Sequence, residues 1–188
     1  MADLHSLVVD PVPFLTSPDA EIRRLAVSAC SGRLPDGPAA AIEQMLDGDP
    51  DSRVRAEAAE VLAELGPEAL EPLLRATTDQ EGVVREAVAT GLGELTDPAA
   101  LPWLLNAAAG DPEKLVREAA VAALGAIGDE SAVPLLLDLI TSGPPQVRRR
   151  SVVALSVFDS PEIEAAIKQA RQDRNPMVRE AAEMVVGH

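Results

Sequence analysis

Residues 116–128 read VREAAVAALGAIG, and this stretch decides the fold. Its apolar residues fall at positions 116, 120, 123, 124 and 127, which is the spacing of one face of an α-helix. The pair Asp111-Pro112 precedes the stretch and is typical of a helix start. Gly128 follows the last apolar residue, where a left-handed C-cap is expected. The stretch therefore predicts an amphipathic helix with both ends marked in the sequence.

The same stretch recurs along the chain at intervals of 30 to 32 residues. The recurring pair is Ile22-Arg23, Val54-Arg55, Val84-Arg85, Val116-Arg117, Val147-Arg148 and Val178-Arg179. A second run with helical apolar spacing, such as Leu101, Leu104, Leu105 and Ala108, follows each of the first five copies. Each unit is thus helix, turn, helix, and it cannot bury its own apolar stripes. Stacked units bury them against each other, so the pattern predicts an α-solenoid.

The repeat also predicts how the chain is divided. We expect one domain over residues 1–188, with five repeats over 17–173 and a C-terminal half-repeat over 174–188. In the first repeat, Ser17-Pro18 is expected to cap the first helix. Residues 1–16 carry only short apolar patterns and are interpreted as an N-terminal cap. An end unit of a stack needs such a cap because it has no neighbour on one side.

The charge of the chain limits its partners. There are 31 acidic and 16 basic residues, which gives a net charge of −15. An acidic surface repels nucleic acid and anionic lipids and favours basic partners. The run Arg148–Arg150 resembles a nucleic-acid patch only weakly, because consecutive helical residues point in different directions. We therefore expect no nucleic-acid partner and no membrane contact. The sequence shows no leader and no membrane-length apolar run, which predicts a cytoplasmic protein.

Residues suited to catalysis are scarce in this sequence. Cys30 is the only cysteine and falls on an apolar helical face, and the two histidines, His5 and His188, lie near the ends. No His-Glu pair, Gly-rich phosphate loop or Ser-centred elbow is present. We predict that the protein is not an enzyme and that it has no catalytic residue, no metal site and no cofactor.

The arginine of each repeat lies close to an aspartate at the preceding turn, such as Asp49, Asp79 or Asp173. Asp-Arg pairs at this joint can link adjacent repeats and hold carbonyl groups at the bend. The alternative is a ladder of anion-binding arginines. The fifth repeat lacks the aspartate and has Gly143-Pro144 instead.

The pattern Asp-Pro-x-x-Val-Arg-x-x-Ala-x-x-Ala-Leu-Gly-x-Ile-Gly-Asp is met by residues 111–129, with one inserted residue before Val116. It resembles the HEAT-like repeat of the phycobilin-lyase type, and the resemblance covers roughly residues 17–187. The predicted fold class is accordingly all-α, a right-handed α-solenoid of about five and a half two-helix HEAT-like repeats. The resemblance implies that first helices line a convex side and second helices a concave side. The family includes bilin lyase subunits, regulators, assembly factors and engineered binding scaffolds.

Residues on the inner side that do not follow the repeat are the candidates for binding a protein. They are Glu71, Arg75, Trp103, Asn106, Leu135, Asp138 and Lys168. Trp and Arg are enriched at interface hot spots, so a mixed apolar and polar groove is one interpretation. The alternative is that Trp103 only covers a seam between repeats.

The predicted function is a non-catalytic protein-binding scaffold, adaptor or assembly factor that uses the concave face. Its partner would be another protein with a basic or mixed apolar and basic segment. The alternative is an accessory subunit of a bilin lyase-type complex that attaches a chromophore. The last unit has only one helix, so we expect a monomer or a weak homodimer through the C-terminal end.

Overall fold

A computed structural model describes residues 4–33 and 37–186, and all regular secondary structure in these two ranges is helical. The α-helices are α1 (Leu4–Val9), α2 (Ala20–Ala29), α3 (Ala39–Gly48), α4 (Ser52–Ala63), α5 (Leu70–Ala76), α6 (Gly82–Leu95), α7 (Leu101–Gly110), α8 (Lys114–Ile127), α9 (Val133–Ser142), α10 (Pro145–Leu155), α11 (Pro161–Ala170) and α12 (Pro176–Val186). Short 3-10 turns precede α2, α5, α7 and α9.

The helices follow the predicted repeats. The first helices of the repeats are α2, α4, α6, α8 and α10, the second helices are α3, α5, α7, α9 and α11, and α12 is the first helix of the half-repeat. The predicted all-α fold class, an α-solenoid of HEAT-like helix pairs, is confirmed. Its right-handedness stays a prediction. The chain divides into two compact units, residues 1–95 and 96–188. A single domain over 1–188 stays a prediction as well.

In the unit formed by residues 1–95, the first helices α2, α4 and α6 pack side by side. The second helices α3 and α5 pack on them, and buried Leu, Val and Ala side chains fill the space between the two layers. At the N-terminal end, α1 and the 3-10 turn Val12–Thr16 pack against α2. Arg33, which interrupts the apolar pattern of the first repeat, donates from Nη1 to the carbonyl oxygens of Val8 and Val9 at 3.0 and 3.3 Å. It therefore ties the N-terminal segment to the first repeat.

In the unit formed by residues 96–188, α8, α10 and α12 form one layer and α7, α9 and α11 form the other. The helices α8 and α10 come very close at Gly125, where an added Cβ atom would lie 2.7 Å from the Cα atom of Ala154. A contact this short admits only glycine, which explains the Gly inside an otherwise Ala-rich helix. The small side chains of the repeat thus allow close helix packing in this layer.

The ends of the helices confirm some of the sequence-based predictions and correct others. Gly128 ends α8 with a φ of 69°, as predicted, and Asp129 accepts from the backbone N–H of Ser131 at the next start. The N-cap of α8, however, is Glu113 and not Asp111, and the N-cap of α2 is Asp19 and not Ser17. Asp111 lies two residues earlier because it is the C-cap of α7. The aspartate that opens a repeat therefore belongs to the bend between helices.

Charged pairs join consecutive repeats at these bends. The arginines Arg23, Arg55 and Arg148 each donate from Nε and Nη2 to both carboxylate oxygens of the aspartate that opens the next repeat, at 2.7 to 2.9 Å. The pairs are Arg23–Asp49, Arg55–Asp79 and Arg148–Asp173, which we call the Arg–Asp ladder. In each pair Nη1 donates to the carbonyl oxygen at the start of the arginine's own repeat: Ser17, Asp49 or Gly143. These pairs link adjacent repeats and hold carbonyl groups at the bends, as the structural interpretation predicted. The partner differs from the prediction, because each arginine binds the aspartate of the following repeat and not the one at its own preceding turn.

The pair Arg148–Asp173 contains the most buried arginine of the ladder. The side chains of Arg148 and Asp173 are 2% and 13% exposed. The hydrogen bonds from Arg148 hold the pKa of the Asp173 carboxyl below its ordinary value, against the opposite effect of burial. A buried pair in this geometry costs much free energy when one partner is removed, because the other charge is left uncompensated.

We predict that Arg148→Gln lowers the free energy of unfolding by about 3 kcal/mol, because it leaves Asp173 without its cation. Arg149→Gln is the matched control, since Arg149 is an exposed neighbour on the same helix, and it should change stability by less than about 0.5 kcal/mol. Urea denaturation of both variants measures the difference. Equal losses in the two variants would show that the pair is not a structural link.

The ladder also predicts a pH dependence of stability. A carboxyl whose folded-state pKa is lowered contributes stability above its unfolded-state pKa, and this contribution is lost as the pH falls through the folded-state value. The ordinary pKa of Asp173 is near 3.8. We expect the free energy of unfolding of the wild type to fall more steeply below about pH 4 than that of Asp173→Asn. Denaturant titrations at several pH values compare the slopes, and identical slopes would contradict the prediction.

Candidate protein-binding site

The predicted binding residues of the second unit lie on one layer. Trp103 and Asn106 are on α7, Leu135 and Asp138 are on α9, and Lys168 is on α11. The helix α9 contacts both α7 and α11, so the three helices lie side by side. We call the solvent-facing side of α7, α9 and α11 the second-helix face, defined by these five residues.

The exposure of these side chains differs with their chemistry. Asn106, Asp138 and Lys168 are exposed, whereas Trp103 and Leu135 are partly buried. Trp103 and Leu135 are both the third residue of their helices, so they occupy the same position in successive repeats. Asn106 donates from Nδ2 to the carbonyl oxygen of Pro102 at 2.9 Å, which orients its amide along the helix. Trp103 is partly exposed, so part of its ring is accessible to solvent.

The second-helix face is mildly acidic. Its three helices carry Asp138, Glu162 and Glu164 against one basic residue, Lys168. The excess of negative charge favours a partner segment that contains Lys or Arg. The helix α7 contains no ionisable residue, so its part of the face is uncharged.

Two cavities border this face. One of about 360 Å³ is lined by Leu135, Asp138 and Leu139 of α9, together with the end of α7 and the loop at Gly143. The other, of about 430 Å³, includes Lys168 of α11 and lies against the last helix, α12. The predicted residues Leu135, Asp138 and Lys168 therefore line recesses in which groups of a partner could sit.

The remaining two predicted residues, Glu71 and Arg75, lie on α5 in the other unit. Arg75 donates from Nη2 to Glu43 at 2.5 Å and to Asp47 at 3.4 Å. Its cation is thus already paired with two carboxylates of α3, and these pairs are half-exposed. The combination of Glu71 and Arg75 with the second-helix face in a single groove stays a prediction.

For one repeat arginine, Arg117, the predicted pairing with an aspartate is wrong. Arg117 donates from Nη1 to the carbonyl oxygens of Asp111 and Pro112, but within the described part of the chain it forms no ion pair. The sequence already indicates that Arg117 lacks a carboxylate partner, since Gly143-Pro144 replaces the aspartate of the next repeat.

Three further observations concern metal ligands, the thiol and membrane-spanning helices. The described residues contain no group of three or more His, Cys, Asp or Glu side chains that could hold a metal ion. Cys30 is buried, and its burial raises the pKa of the thiol, which disfavours the reactive thiolate. Within the two described ranges, no helix has the length and apolar character required to span a membrane.

Comparisons with known proteins agree with the fold. A family model described as HEAT repeats matches residues 11–93 and 70–156. The structure is similar to the complex of CpcE and CpcF of phycocyanin lyase from Nostoc sp. PCC7120, with a TM-score of 0.67 and 22% identity over 79% of this chain and 98% of that chain. A comparison with curated proteins found no match.

Two further solved structures are similar over most of the chain. The YibA protein of E. coli has a TM-score of 0.69 and 18% identity over 99% of this chain and 75% of that chain. A designed armadillo repeat protein in complex with the peptide (KR)4 has a TM-score of 0.68 and 18% identity over 94% of this chain and 97% of that chain.

At these identities the structural likeness shows the fold alone. The two matches of the family model together span residues 11–156. That is well over half of the chain, and the chain therefore belongs to the HEAT-repeat family.

Proposed function

We propose that this HEAT-repeat protein is a non-catalytic scaffold, adaptor or assembly factor that binds a segment of another protein on the second-helix face. The observation that most supports this proposal is the partial exposure of Trp103 at a position where the repeat does not require a tryptophan. Trp103 is the only tryptophan of the chain, it is partly exposed, and the corresponding residue of the next repeat is Leu135. The repeat does not require an aromatic ring at this position.

The binding mechanism in this proposal is burial of an apolar anchor. A tryptophan offers a large apolar surface and an N–H donor, and it loses little conformational entropy on binding. Trp103 and Leu135 supply the apolar part of the face, and Asn106 and Asp138 supply the polar groups beside them. Such a mixture is typical of the centre and rim of a protein interface.

The charge of the chain supports a basic or mixed apolar and basic partner segment. The net charge of −15 attracts cationic segments over a long range, and the acidic excess on the second-helix face continues this attraction at short range. A designed armadillo repeat protein of similar fold was solved in complex with a Lys-Arg peptide. A cytoplasmic location remains part of the proposal.

The C-terminal end is the place where we propose that a weak homodimer would form, if the protein is not a monomer. Met184 and Val186 of α12 are 54% and 50% exposed. Sedimentation velocity at several concentrations distinguishes a monomer from a dimer that forms through this end.

A second candidate function is an accessory subunit of a bilin lyase-type complex. It is favoured by the structural likeness to the CpcE and CpcF complex of phycocyanin lyase. Incubation of the purified protein with phycocyanobilin tests it. A saturable change of the bilin absorbance spectrum would support this candidate, and an unchanged spectrum would leave the scaffold function.

We predict that Trp103→Ala weakens binding of the partner segment by roughly 30-fold, which corresponds to a hot spot of about 2 kcal/mol. Its effect on the free energy of unfolding should be smaller than that of truncating a fully buried tryptophan, because the ring of Trp103 is partly exposed. The partner is captured by crosslinking from native lysate, and its affinity is measured by calorimetry.

Val153→Ala provides the matched control for this variant, because Val153 is an exposed apolar residue, 48% accessible, on α10 in the other layer. It should leave the affinity unchanged. In the wild type, the Trp103 fluorescence should shift to the blue on binding. A Trp103→Ala variant that loses stability but keeps its affinity would assign the ring a purely structural role.

A further inference from the structure

The Arg–Asp ladder is interrupted between repeats 4 and 5, at Arg117 of α8. In the intact pair Arg148–Asp173, Nη1 of the arginine holds a carbonyl of its own repeat, and Nε and Nη2 hold the carboxylate of the next repeat. Arg117 uses Nη1 in the same way, on the carbonyl oxygens of Asp111 and Pro112. Its Nε and Nη2 make no hydrogen bond to any residue that the structure describes.

Gly143 occupies the position at which other repeats have the aspartate that pairs with the preceding arginine. Like Asp49, Gly143 is the C-cap of a second helix, and its N–H donates to the carbonyl four residues earlier: 2.9 Å from Asp49 to Met45 and 3.1 Å from Gly143 to Leu139. A Cβ atom on Gly143 would lie 2.8 Å from the Leu139 carbonyl oxygen and 2.9 Å from Cγ1 of Val147. The chain therefore has no room for an acidic side chain of its own at this step.

Arg117 and Gly143 instead line the cavity of about 360 Å³ beside α9. Leu135 and Leu139 contribute apolar walls to it. Arg117 is partly exposed, so its guanidinium is open to a group that enters from solvent. The cavity thus combines a cation, an apolar wall and space for a short side chain.

We propose that this cavity is a carboxylate-binding site, in which a carboxylate that is not part of this chain pairs with Nε and Nη2 of Arg117. The chain itself contains examples of this geometry, since the same two nitrogens of other arginines hold Asp49, Asp79 and Asp173 at 2.7 to 2.9 Å. Bidentate Arg–carboxylate pairs are among the strongest hydrogen-bonded pairs in proteins. The natural source is an Asp or Glu side chain of the partner segment, and this assignment of the source rests on the proposed function.

Asp138 lines the same cavity, and its negative charge disfavours anions of higher charge. Its Oδ2 accepts from Oγ of Ser142 at 3.1 Å, and it forms no ion pair with Arg117. Its negative charge repels an incoming anion in proportion to the charge of that anion. A carboxylate carries one negative charge and a phosphate group about 1.5 to 2 at neutral pH, so the cavity favours the carboxylate. Asp138 would also pair with a basic residue next to the acidic one, which fits a mixed partner segment.

The test is a titration followed by NMR on the full chain with 15N-labelled arginine and backbone amides, at constant ionic strength. The probe is N-acetyl-aspartate N-methylamide, which carries a single side-chain carboxylate. We expect saturable shifts of the Arg117 Nε–Hε signal and of the Gly143 amide. Arg117→Gln should weaken the binding seen at Gly143 by at least about 10-fold, the loss of one charge-assisted contact. Arg149→Gln, which removes an exposed arginine outside the cavity, should leave it unchanged.

Two further anions define the ligand. Succinate that binds no tighter than the aspartate derivative would point to a partner side chain as the source, and succinate that binds at least about 10-fold tighter would point to a free dicarboxylate; both results support a carboxylate site. Inorganic phosphate that binds more tightly than either would overturn it. A titration with the aspartate derivative that does not saturate would also overturn the proposal, as would equal shifts of the Arg149 and Arg117 Nε–Hε signals. Saturation only in Asp138→Asn would show that Asp138 itself fills the site, and would also overturn the proposal.

This result is separable from that for the proposed function. If the aspartate probe binds but Trp103→Ala leaves the partner's affinity unchanged, the carboxylate site stands and the anchor at Trp103 fails. If Trp103→Ala weakens the partner but no probe binds at Arg117, the scaffold function stands and the carboxylate site fails. Unfolding of Arg117→Gln, monitored in parallel, ensures that a loss of probe binding is not a loss of folded protein.

Discussion

The bidentate contact between an arginine and the aspartate of the next repeat is the interaction on which the rest of the structure depends. One guanidinium satisfies a carboxylate of the following repeat and a carbonyl group of its own bend, for example at Arg55 with Asp79 and Asp49. It therefore fixes the place where one second helix ends and the next first helix begins. The apolar side chains supply the bulk of the burial, but they are small and similar, so the charged contacts add the register between repeats.

Because the bends and the packing between the two helix layers are fixed in this way, the solvent-facing residues of the second helices are free to vary. The third residue of α7 is Trp103, whereas the third residue of α9 is Leu135 and that of α5 is Pro72. A scaffold that is indifferent to this position can carry a binding residue there at little cost in stability. The same logic applies to the ladder, since its interruption at Gly143 leaves the fold intact, and among the described residues Nε and Nη2 of Arg117 have no hydrogen-bond partner.

The sequence predicted the parts of the structure that depend on local spacing. Apolar periodicity placed every first and second helix, and Gly128 was recognised because a positive φ is easy only for glycine. The helix starts were placed two residues early at Asp111 and Ser17, because several neighbouring residues can cap a helix and local sequence does not rank them. Contacts between distant residues were beyond this reasoning. The pairing of Arg75 with Glu43, 32 residues away, depends on how two helices are turned relative to each other.

The ladder has a consequence for the way this protein reaches its native state. Its pairs join residues only 26, 24 and 25 positions apart in the chain. Contacts of such low sequence separation close short loops, and chains dominated by them fold fast. Each pair needs only two consecutive repeats, so order can begin at any of these joints and spread to the neighbouring repeats. The joint between repeats 4 and 5, which lacks this closing contact, is where such spreading is expected to be slowest.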